Sequence, residues 1–126
     1  MLLQSIVVYL CVTLNHVGTP LECSEINATF APLAPPTVGL AIDFNPTDYT
    51  LLVSNKFDGP REPIRDAYMI AVIIHELAHI KNFKAKTTDS HGPNFVATCE
   101  AMIAAAGLPP IACGPVIHLP NLAPPP

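Results

Sequence analysis

The feature that most constrains this chain is His75-Glu76-Leu77-Ala78-His79, set inside an apolar run over residues 70–83. A helix carrying that run presents residues i and i+4 on one face, about 6 Å apart along the axis. His75 and His79 therefore point to the same side, where one zinc ion can accept both imidazoles. Glu76 sits about 100° further round the helix, able to lean over the ion without ligating it. That placement suits a base that takes a proton from a bound water. A merely structural helix has no use for it, since buried His and Glu without partners cost several kcal/mol. Three ionisable groups directly after Ala71-Val72-Ile73-Ile74 break the pattern of an apolar core helix, and such breaks mark function.

The chain has 126 residues, enough for one domain, and half of them are hydrophobic. Net charge is −4, and all six Lys and Arg lie between Lys56 and Lys86. Residues 1–55 carry only Glu22, Glu25, Asp43 and Asp48 as charged groups. This excludes a basic tail or patch for tight phosphate binding. Lys81, Lys84 and Lys86 read as the solvated exit of a helix rather than a nucleic-acid contact. Cys11, Cys23, Cys99 and Cys113 form no C-x-x-C pair and their spacing suggests no disulfide framework. Four reduced, mostly buried thiols are expected, with Cys99 a small core residue. The apolar stretch over residues 6–12 is too short to span a bilayer. No Lys or Arg precedes it, so an intracellular, cytoplasmic protein is expected, with secretion through residues 1–20 as the minority alternative. Asn27-Ala28-Thr29 fits a glycosylation acceptor, of consequence only in a secreted chain.

Read in order, residues 1–14 read as a buried strand or a short helix, and their β-branched content leans towards strand. Residues 15–36 read as irregular, punctuated by Gly18, Pro20, Pro32, Pro35 and Pro36. Residues 37–44 and 49–55 read as the strands of a hairpin around Asn45-Pro46-Thr47-Asp48, with Gly39 marking a bulge or a close backbone approach. Pro63 opens a central buried helix to about Phe83, and Pro93 opens a second helix to about Ala106, capped by Gly107. From Leu108 onwards seven prolines predict an extended tail. The domain is expected over residues 1–107, with a proline-rich C-terminal tail at 108–126.

A catalytic zinc site takes three protein ligands and leaves a fourth position open. Asn82 and Ala85 stand where a metzincin needs Gly and His, which excludes that class. Glu100 would give a His₂Glu site and His91 a His₃ site. His91 is favoured, because it precedes a helix start where Gly92 and Pro93 fix a turn and Phe95 can anchor the helix. Asp89 and Ser90 are candidates to hydrogen-bond a ligand imidazole. His16 and His118 read as surface residues.

The helix motif followed by His91-Gly92-Pro93-Asn94-Phe95 resembles the SprT-like (Spartan-type) metalloprotease domain over roughly residues 37–107. The resemblance implies a small α+β, zincin-like domain: a β-hairpin or short sheet packed on the central H-E-x-x-H helix and a second helix. It implies one Zn²⁺ per chain on His75, His79 and His91, Glu76 as catalytic acid/base, and a protein or peptide as substrate. Many members carry a C-terminal zinc ribbon with C-x-x-C pairs, and this chain has none. Members acting on proteins crosslinked to DNA use added basic segments; association with DNA is implied by the resemblance and not supported by the charge. A zinc-dependent endopeptidase, a monomer with no membrane association, is the expected function. A non-enzymatic zinc-stabilised binding module is the alternative, and Glu76 favours the enzyme, since a structural site does not need it.

Overall fold

The structure is a computed structural model that describes residues 2–45, 48–87, 90–109, 112–114 and 117–118. Its first element is α1 (Leu3–Thr13), the short helix of the two readings rather than the favoured strand. Leu3, Val7, Leu10, Cys11 and Leu14 recur at helical spacing and are all buried, so one packed face outweighs the β preference of single valines. That face packs against the segments Ile26–Ala31 and Pro63–Ala85, while Tyr9 and Val12 on the opposite face are exposed. A second difference follows directly: Cys11 is bonded to Cys23 across twelve residues, and Cys99 to Cys113 across fourteen. The expectation of four reduced thiols is therefore corrected. Closing a loop of this length stabilises the fold by about 3 kcal/mol through the unfolded chain.

After a 3₁₀ turn at Cys23–Glu25, β1 (Ile26–Ala31) runs through a segment expected to be irregular. Then come β2 (Gly39–Asn45) and β3 (Asp48–Ser54), the expected hairpin, whose turn residues Pro46 and Thr47 lie outside the described residues. β3 occupies the middle of the sheet, antiparallel to β2 and parallel to β1. The sheet is thus three-stranded and mixed. The carboxamide of Gln4 on α1 closes the outer edge of β1, donating to the Ile26 carbonyl and accepting from the Ala28 N–H, both at 2.7 Å. An edge that would otherwise offer unpaired groups is covered in this way.

The long helix α2 (Pro63–Ala85) begins as the sequence predicts. Pro63 stands at its start and the Glu62 carboxylate accepts the N–H groups of Ile64 and Arg65. It packs on β2, β3 and α3 (Pro93–Ala105), and its middle, from Ala71 to Ala78, is buried on all sides. It ends where Lys86 turns left-handed (φ 60°), its N–H bonding to the Phe83 carbonyl and the Thr87 N–H to the Asn82 carbonyl. The chain then reverses to α3, and Phe95, Cys99, Met102 and Ile103 form the buried stripe of that helix. Part of the expected tail is structured: β4 (Ala112–Cys113) pairs with β5 (Ile117–His118), and the buried Cys113 is tied to α3. Residues 119–126 lie outside the described residues.

Lys81 departs furthest from expectation. It is not part of a solvated exit but only 1% exposed. Its Nζ donates to the Thr19 carbonyl at 2.8 Å, pinning the loop after α1 to α2. Burial pushes its ammonium down from 10.5 to about 8.

Candidate metal centre and cleft

His75 and His79 lie one turn apart on α2, as their spacing requires. His91 reaches them from the turn before α3, its backbone left-handed at φ 60°. A non-glycine residue in that region costs about 1 kcal/mol or more, and such strain gathers at functional sites. The His91 Nε2 lies 3.3 Å from the His75 Nε2 and 3.1 Å from the His79 Nε2. Zinc–nitrogen bonds of about 2.0–2.1 Å at tetrahedral angles separate neighbouring nitrogens by about 3.3–3.4 Å. The spacing fits. The three imidazoles lie close enough together to hold a metal ion, and among the described residues they are the group that does.

Phe95 sets the three rings. Fully buried at the start of α3, it stacks on His79 at 4.1 Å and meets His75 and His91 edge-on at 4.8 and 5.1 Å. Sequence reading gave it only the anchoring of α3. Ser90 Oγ lies 3.3 Å from the His91 Nδ1, a contact able to fix which His91 nitrogen faces the ion. Asp89 lies outside the described residues. Burial holds His75 down to about 3, helped by the neighbouring His79 and His91; burial and His91 hold His79 down to about 4. Both are therefore neutral at ordinary pH, the form in which imidazole binds a metal.

Glu76 faces the same cleft, at the β2 side. Burial pushes its carboxyl up to about 8, partly offset by a hydrogen bond from the Ala41 N–H. The close approach that Gly39 suggested is real. A Cβ there would lie 2.7 Å from Val72 Cγ1 and 2.9 Å from Glu76 Oε2. Only glycine lets β2 run close enough to place the Ala41 N–H on the carboxylate. The cleft, about 320 Å³, is bounded by Gly39, Leu40 and Ala41 on one side and by α2 and the His91 turn on the other. β2 is an edge strand among the described residues, paired with β3 alone.

The remaining candidates lie elsewhere. Glu100 is exposed on α3 and does not join the histidines; His16 is exposed in the turn after α1, and His118 falls on β5. Among the described residues no helix is long and apolar enough to cross a membrane. No protein-family model and no curated protein sequence matches this chain.

Proposed function

We propose that this chain is a zinc metallopeptidase of the SprT-like type, built on a minimal zincin-like core. One observation carries the reading: three convergent, neutral imidazoles and a buried carboxylate open into one cleft beside an edge strand. A site that only stabilised the fold would be closed and usually contain cysteine, and here the cysteines are spent on disulfides.

His75, His79 and His91 would hold the zinc ion. When bound, it supplies Lewis-acid polarisation of the substrate carbonyl and lowers the pKa of water. The dication held beside Glu76 would favour its ionised form, in which Glu76 takes the proton of the attacking water on a carboxylate oxygen and later delivers it to the leaving amine nitrogen. The Ala41 N–H keeps that carboxylate aimed through the cycle. An extended substrate can add to the free edge of β2, gaining main-chain hydrogen bonds without sequence-specific contacts.

The two disulfides favour an oxidising compartment over the cytoplasm expected from composition. Thiol titration of the denatured, unreduced protein is then expected to find no free cysteine.

The activity is tested with denatured casein as substrate, comparing wild type with Glu76→Gln. Cleavage by wild type that is lost in Glu76→Gln supports the reading; equal cleavage by both, or none by zinc-loaded wild type, overturns it.

A further inference from the structure

Asn82 lies three residues beyond His79 and seven beyond His75, on the same face of α2. It is 8% exposed and lines the cleft. Its backbone carbonyl is engaged, accepting the Thr87 N–H at 3.0 Å and the Thr87 hydroxyl at 3.2 Å. Its side-chain carboxamide is not: among the described residues it has no hydrogen-bond partner. Its amide atoms are not sealed into the core but open onto the cleft. The hydroxyl and carboxyl groups lining the cleft are already engaged. Thr87 bonds back to Asn82, Ser90 faces His91, and Glu76 accepts from Ala41. Asn82 is therefore the neutral donor left facing the cleft, and helical side chains lean back towards the preceding turn, here that of His79.

We infer that the Asn82 Nδ2–H donates to the scissile carbonyl oxygen of the substrate as that oxygen becomes an oxyanion; this rests on the peptidase reading above. In the step, the water oxygen forms a bond to the carbonyl carbon while its proton passes to Glu76. The carbonyl π pair moves onto the oxygen, to which the Asn82 Nδ2–H donates a hydrogen bond. The pair then returns as the C–N bond breaks, and the leaving amine takes the proton from Glu76. A donor of this kind acts only where charge develops, so its loss lowers kcat far more than it raises KM.

The test uses zinc-loaded full-length protein and the peptide that wild type cleaves fastest in a casein digest. Asn82→Ala is expected to lose about 100-fold in kcat with KM within about threefold. Asn82→Asp keeps the shape but donates nothing and is expected to fall at least as far. Zinc content is expected to stay at the wild-type level in both. By calorimetry, a phosphinic peptide that mimics the oxyanion is expected to bind Asn82→Ala about 100-fold more weakly. The neutral reduced-amide analogue of the same sequence is expected to bind it unchanged. Wild-type kcat in either variant overturns the inference, as do a change in KM alone, equal weakening of both ligands, or loss of zinc. If wild type and Glu76→Gln are equally inactive, the peptidase reading has failed and this inference goes with it. An active wild type, an inactive Glu76→Gln and a fully active Asn82→Ala overturn this inference alone.

Discussion

Helix α2 buries ionisable groups on two sides, and the two sides differ in a way that separates function from structure. On one side His75, Glu76 and His79 line an open cleft, and His91 joins them from another element. The His75 Nδ1 has no partner there among the described residues. On the other side the Lys81 ammonium is equally withdrawn from water, yet it is closed in and donates to the Thr19 carbonyl. Both sides perturb their pKa values by burial. Burial alone therefore does not mark a site. Convergence of several groups on one accessible point does, and Lys81 lacks it.

The largest effect is expected at Glu76. Glu76→Gln should lose about 1,000-fold or more in peptide hydrolysis while keeping its metal and its melting temperature. Lys81→Met in the same assay should keep activity within about threefold; an equal loss in both would erase the distinction. Reducing both disulfides should lower the unfolding free energy by about 3 kcal/mol for each loop released, read by urea titration with and without reductant.

A smaller effect is expected at Gly39. Its alanine variant must push the Glu76 carboxylate or Val72 aside, since the new Cβ would lie under 3 Å from both. About tenfold lower kcat with unchanged metal content is expected, and wild-type kcat would show that the close approach serves packing alone.

The smallest effect is on pH dependence. Lys81 has a folded pKa of about 8 against an ordinary 10.5, so the unfolded chain holds the proton more tightly. Its burial costs stability at pH 7, and that cost disappears as pH rises from about 8 towards 10.5. Relative to Lys81→Met, wild type should gain up to about 3 kcal/mol across that window, measured by urea unfolding at several pH values. The difference must be taken between the two proteins, because buried Tyr49 and Tyr68, whose pKa values are raised, lose stability at the upper end. A flat difference would mean that the ammonium is solvated.

What the sequence made legible follows the same division. α2 and α3 announce themselves by Pro63, Pro93 and apolar spacing, and the hairpin by its turn residues; all are local signals. His91 was within reach because its turn is local as well. What stayed hidden depends on distant partners. β1 pairs in parallel with a strand more than twenty residues away, although Ile26, Ala28 and Phe30 alternate and the signal was there behind the prolines. α1 is helical because of what packs on it. Cysteine spacings do not name their partners, and Lys81 looks like a solvated helix end until Thr19, sixty-two residues away, is brought beside it. Asn82 was read only as the residue that excludes a metzincin; its free carboxamide shows once the cleft is built.

His75, His79 and His91 are proposed to form a metal centre with one open position. Metal content of the purified wild type, beside His91→Ala and Glu100→Ala, tests it most directly. About one zinc per chain is expected in wild type and in Glu100→Ala, and loss of zinc in His91→Ala. Zinc lost in Glu100→Ala but kept in His91→Ala, or no metal in wild type after zinc is supplied, would contradict it.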